Sequence, residues 1–249
     1  MPERSNLVYQ YDGSFDGFLC CVFESFYAKE NPAAILAQEQ RQAMLFPIKY
    51  IETDAVRAAR VRRSIPLKIS AQAQELIQKV FLSCEAGKDS VILDFLRLGY
   101  RMGEKVTKLA TRAEVAAMDK IALTVQNEAY HSLEFLRFSE FGDFLAAEIT
   151  PHNNILPLMV HHFCDRFPSE NFVLYDGSHG VAFLHKSGGR TEWIEGTVSF
   201  PDPGEEEENY RRLWRHFYET IAIEGRRNER ARMSHMPKRF WPNMTEFRH

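Results

Sequence analysis

Between Leu133 and Ile194 the apolar residues leave a helical period and fall into short blocks separated by turn residues. That change excludes an all-helical fold. Residues 133–138 and 143–149 read as strands meeting at Gly142. A helix is predicted over Ile155–Phe167, capped by Asn153 or Asn154. Two more strands follow, 172–175 and 180–184, joined by Asp176-Gly177-Ser178-His179, and Glu192-Trp193-Ile194 can close the unit. Strand, strand, helix, strand, strand predicts a small antiparallel sheet within residues 133–195, carrying a helix on one face.

The flanks are mainly helical. At the N-terminus Leu7–Tyr11 reads as a strand, Asp12-Gly13 as a turn, and Ser14 or Asp16 as the cap of a helix with Phe18, Leu19, Val22, Phe23 and Phe26 on its apolar face. Pro32 ends that helix, and Ala33–Met44 is expected to be helical too. A second strand is predicted over Phe46–Ile51. Helices are predicted from a cap at Thr53 or Asp54 through Ile65, and over Ser70–Glu85, Ser90–Met102 and Arg112–His131. In the last segment Tyr210, Leu213, Trp214, Phe217 and Ile221 recur at helical spacing, which predicts one buried stripe. The fold class expected is α+β, a single compact domain over 1–249 with parts at 1–131, 132–200 and 201–249. The last part is a basic helical tail packed back on the core.

Charge is unevenly placed. The whole chain carries −3, which argues against a histone-like binder. From Arg211 to Arg248, nine Arg and one Lys face four Glu, a local balance of +6. Within it Arg226, Arg227, Arg230, Arg232, Lys238 and Arg239 can meet phosphates, and Phe240 or Trp241 can stack on a base. The alternative is a solvated basic face with the two aromatics tucked into the core. A second basic patch lies at Arg57, Arg60 and Arg63, one helical face in a stretch of five basic residues without an acid.

Other candidates are thinner. Asp12, Asp16 and Glu24 can be read as oxygen ligands for a divalent ion, or as a turn, a helix cap and a surface acid. The Tyr11, Asp12, Asp16 turn is also a candidate binding loop. His161 and Asp165 sit one helical turn apart, without a third ligand in view. Cys20, Cys21, Cys84 and Cys164 show no metal-binding spacing, which suggests reduced thiols and a cytoplasmic location. Met1–Asn6 lacks the apolar core of a signal peptide. No apolar run reaches membrane-spanning length. No metal and no cofactor are expected, and no catalytic motif is complete.

Four stretches together resemble a bacterial family of unknown function filed as probable DNA metabolism or DNA repair proteins. They are Tyr-Asp-Gly-Ser-Phe-Asp-Gly-Phe-Leu at 11–19, the Thr53-Asp54 helix with Arg60-Val61, residues 136–155, and Trp214 to Trp241 closing on Met-Pro-Lys-Arg-Phe-Trp at 236–241. The resemblance spans nearly the whole chain. It implies an association with a DNA repair radical-SAM protein encoded nearby, and in some relatives a fusion in front of a uracil-DNA glycosylase-like domain. It brings no assigned catalytic residues. This chain, ending at His249, is expected to be the stand-alone form. The function expected is an accessory protein of DNA repair or modification that binds DNA, or presents it to a radical-SAM or glycosylase-type partner. The alternatives are a metal-dependent nuclease using Asp12 and Asp16, and a pure protein-interaction module.

Overall fold

The computed structural model describes residues 4–38, 46–221, 225 and 228–247. The α+β expectation holds, with open sheets of three and five strands among helices. The chain divides into two compact units, Met1–Val125 and Gln126–His249.

The first unit is built on β1 (Ser5–Tyr11), whose Val8, Tyr9 and Tyr11 are fully buried. A tight turn leads to α1 (Phe15–Tyr27), and Ser14 caps it by accepting from the Gly17 amide at 2.9 Å. The chain returns as β2 (Pro32–Ala37), then β3 (Ile48–Tyr50), giving a parallel sheet in the order β2-β1-β3. The helix predicted over Ala33–Met44 is therefore corrected: its first part is a strand beside β1, and residues 39–45 lie outside the described ones. Ala and Leu favour helix in isolation, but pairing with a buried central strand overrides that weak preference. The helices α2 (Ala55–Lys68), α3 (Ala71–Phe81), α4 (Lys88–Met102) and α5 (Ala113–Phe135) follow. Asp54 caps α2 and Ser70 caps α3. The inward faces are Ala58, Val61 and Ile65 on α2, and Ala73, Ile77 and Val80 on α3, with Phe81 half-buried.

The second unit opens on the end of α5. Residues 133–135 continue that helix, so the strand predicted at 133–138 is displaced to β4 (Ser139–Phe141). It turns at Gly142, φ +65°, into β5 (Phe144–Ile149). The helix α6 (Leu156–Arg166) crosses over to β6 (Phe172–Asp176), followed by β7 (Val181–Lys186) and β8 (Arg190–Glu195). The sheet runs β4-β5-β6-β7-β8, and three of its four pairings are antiparallel as expected. The β5–β6 pair is parallel, because a helix between two neighbouring strands returns the chain in the same direction. Asn153 does not cap α6; Ile155 holds the cap position without a side-chain bond. The helices α7 (Glu205–Thr220) and α8 (Glu229–His235) follow, and then short 3-10 turns at Lys238–Asn243 and Thr245–Phe247. Among the described residues no helix is long and apolar enough to cross a membrane.

One buried charge marks the first core. Asp89, 3% exposed, accepts from the Tyr11 hydroxyl at 3.2 Å and sits beside Lys88 and Cys21. Burial pushes its carboxyl up to about 6, against the opposing pull of Lys88 and the Tyr11 bond. The folded state therefore binds more protons than the unfolded chain between about pH 4 and pH 6. Stability is full below that window and is lost as pH rises through it, by on the order of 3 kcal/mol. Urea unfolding against pH should show this fall, and Asp89→Asn should remove it and stabilise the protein at pH 7.

Candidate nucleic-acid interface

In the first unit the strands β1 and β3 end side by side, and the loops that follow them start α1 and α2. Asp12 closes this corner. Its carboxylate accepts from the Ser14 amide at 2.9 Å, the Ser14 hydroxyl at 2.7 Å and the Thr53 hydroxyl at 2.6 Å. Partial burial pushes the carboxyl up, but those bonds outweigh it and hold the group below the usual carboxylate range. Gly17 is required here, because an added Cβ would fall on Asp12 Oδ1 and within 2.8 Å of Thr53 Oγ1. Asp16 pairs with Arg62, and Glu24 with Lys49 at 2.7 Å. The three acids proposed as metal ligands thus each answer a separate partner. Among the described residues no group of three or more His, Cys, Asp or Glu is placed to hold a metal ion.

The Arg57, Arg60, Arg63 face is exposed along α2, opposite the buried Ala58 and Val61. Arg57 and Arg60 both lie over one ring: their guanidinium carbons are 5.6 and 5.7 Å from the Phe23 centroid. Tyr27, 78% exposed, stacks on the same Phe23 at 5.9 Å with the planes 13° apart. Arg57 is 3.9 Å from Asp54, and Arg63 donates to the Ala59 carbonyl at 3.4 Å. Two arginines, a half-buried ring and an exposed ring make a positively charged aromatic platform. The arginines stand out in the sequence as a basic patch, whereas Phe23 and Tyr27, although i,i+4 on α1, carry no signal there that joins them to it.

The tail of the second unit is tied down by its own side chains. Trp241 stacks on Phe247 at 4.3 Å, donates from Nε1 to the Met236 carbonyl at 3.0 Å, and lies 5.0 Å from the Arg232 guanidinium and 5.6 Å from Lys238 Nζ. Arg232 also pairs with Glu229 at 2.6 Å. Phe240 packs on Phe135 and His131, and Arg239 lies over Phe240 and 3.9 Å from the buried Glu128. Arg230, Lys238 and Arg239 are exposed. Arg226 and Arg227 lie outside the described residues.

Helix α7 corrects the expectation of a buried stripe. Tyr210, Leu213, Trp214 and Phe217 are 59, 60, 42 and 51% exposed, and no residue of the helix is buried. The helix is tied to β4 by Arg211, which donates to the Ser139 hydroxyl, and by Glu207, which accepts from the Glu140 amide at 3.2 Å, and it packs through Tyr218 on Phe247. Within the helix Glu207 and Arg211 pair at i,i+4, Glu208 meets Arg211, and Arg212 donates to Asn209. His161 and Asp165 pair at 2.9 Å on the open surface of α6.

These features define a class: an α+β protein of two units with arginine–aromatic surfaces. The chain belongs to the DUF4130 family, described as a domain of unknown function, which matches residues 86–246. That span takes in α4, α5 and the strands and helices of the second unit; the Tyr11–Leu19 stretch and the α2 arginines precede it. Comparison with curated proteins and with solved structures gave no match.

The Asp12 corner yields its own expectation. Gly17→Ala should lower stability by about 1–3 kcal/mol, the usual cost of forcing a methyl into a packed site. Chemical denaturation checks it; an unchanged midpoint would contradict the close approach.

Proposed function

We propose that the protein is an accessory factor of DNA repair or modification, which binds nucleic acid and presents it to a partner enzyme of radical-SAM or glycosylase type. The observation that carries the reading is the α2 platform, where Arg57 and Arg60 lie over Phe23 beside the exposed Tyr27. Phosphates need cations with room to approach, and unpaired bases need a ring to lie against; this surface offers both. Arg63 extends the cationic row. In the second unit Arg230, Lys238 and Arg239 offer further phosphate contacts, with Arg226 and Arg227 beside them in sequence. There Trp241 supports the reading indirectly, by holding Arg232 and Lys238 over its ring. The DNA repair context comes from the resemblance of the opening and closing motifs. DNA is the first partner in this reading, and the radical-SAM or glycosylase-like protein the second.

Fluorescence anisotropy with single-stranded, duplex and uracil-containing DNA at two salt concentrations tests it. Arg57→Ala/Arg60→Ala/Arg63→Ala should weaken binding at least about tenfold at low salt and make the salt slope shallower by about two to three, close to one unit per lost phosphate contact. Unchanged affinity and slope in that variant would overturn the assignment of α2.

A further inference from the structure

The exposed face of α7 is a feature that nucleic-acid binding does not use. With Phe138 and Thr245, its Tyr210, Leu213, Trp214 and Phe217 line a wide, open groove in the second unit. The arginines at this groove are already neutralised: Arg211 by Glu207 at 2.8 Å, and Arg137 by Glu246 at 2.7 Å. At Glu207 the groove adjoins an open hollow lined by Glu140, Asp202, Glu206 and Glu207 with Phe141 and Phe144. No Lys or Arg lines that hollow. Among the described residues Glu140, Asp202 and Glu206 form no ion pair. Over its length α7 carries five Glu against three Arg.

We propose that this groove seats an amphipathic, basic helix of a protein partner. Apolar side chains at i, i+3 or i+4, and i+7 of that helix would lie against Tyr210, Leu213, Trp214 and Phe217, and Lys or Arg at one end would enter the acidic hollow. This is the helix-in-groove mode of recognition, and charge decides the occupant. A nucleic acid laid here would bring phosphates against Glu140, Asp202 and Glu206, with the nearest arginines already engaged. An acidic helix meets the same repulsion. Tyr210 to Phe217 spans about 10 Å, two helical turns, so the contact is short and a micromolar dissociation constant is expected. The inference goes beyond the nucleic-acid reading and does not depend on it.

The test uses the full chain and a fluorescein-labelled synthetic Leu/Lys amphipathic helix of about 18 residues, roughly five turns. Controls are the same composition in scrambled order and a Leu/Glu helix of the same pattern. The Leu/Lys helix should bind saturably in the micromolar range and the controls at least about tenfold more weakly. Trp214→Ala and Leu213→Glu should each weaken it about tenfold or more with the melting temperature unchanged, since both positions are exposed. Asp202→Lys/Glu206→Lys should transfer the preference to the Leu/Glu helix. Four outcomes would overturn the proposal: no binding of the Leu/Lys helix, equal binding of the scrambled peptide, Trp214-dependent binding of oligo(dT), or a dimer in light scattering that Leu213→Glu dissociates. The last two would assign the groove to a nucleic acid or to a second copy.

Discussion

Two buried carboxylates organise the second unit. Glu128, on the last turns of α5, accepts from the His152 and Asn153 amides at 2.9 and 3.0 Å and from the Asn153 side chain at 2.7 Å, with Arg239 at 3.9 Å. Glu246, near the end of the described chain, is met by Arg137 at 2.7 Å. Each tie joins an acid on one segment to an arginine on another: the tail supplies Arg239 and Glu246, the body Glu128 and Arg137. A buried carboxylate stripped of its partner is costly, on the order of 3–5 kcal/mol. Residues 228–247 are thus a fixed part of the unit, with Arg232, Lys238 and Arg239 held against its aromatic rings. Fixed cations lose less entropy on meeting a phosphate than a free arm would.

The same economy is visible in the first unit. Asp12 answers the amide and hydroxyl of Ser14 and the Thr53 hydroxyl, so the loops after β1 and β3 are joined by one carboxylate. Asp54 then starts α2 by accepting from the Val56 and Arg57 amides at 2.8 and 2.9 Å. The helix is thereby aimed with Ala58, Val61 and Ile65 inward, and its arginines turn toward Phe23. The corner that could have been a metal site works as a latch, and the surface it positions is the cationic one.

Much of this was legible in the residues. Ser14 and Asp54 are each one of two cap candidates in the sequence, since short side chains accept from a helix's first amides, while Ser70 stands there only as the first residue of its helix and caps it in the structure. The three-residue and four-residue spacing of apolar positions located α2 to α5. Long-range pairing was not legible. Pro32–Ala37 has the composition of a helix and becomes a strand because β1 lies beside it. Residues 133–135 have the look of a strand but extend α5, and the parallel β5–β6 pair follows from topology rather than from residue pattern. The stripe of α7 was visible as a stripe, but periodicity says only that a face is apolar, never what covers it. The aromatic half of the α2 platform was missed because Phe23 and Tyr27 come from another helix. Tertiary packing alone brings them beside the arginines.

In the proposed function, nucleic acid meets this protein at its arginine–aromatic surfaces. Hydrogen–deuterium exchange of the full chain, with and without saturating single-stranded or duplex DNA, addresses it most directly. Added protection is expected in peptides covering Phe23–Tyr27 and Arg57–Arg63, and in the segment from Arg230 to Trp241, with the amides of α3 and α6 unchanged. Protection confined to other surfaces, or none at DNA concentrations that saturate an anisotropy curve, would contradict it.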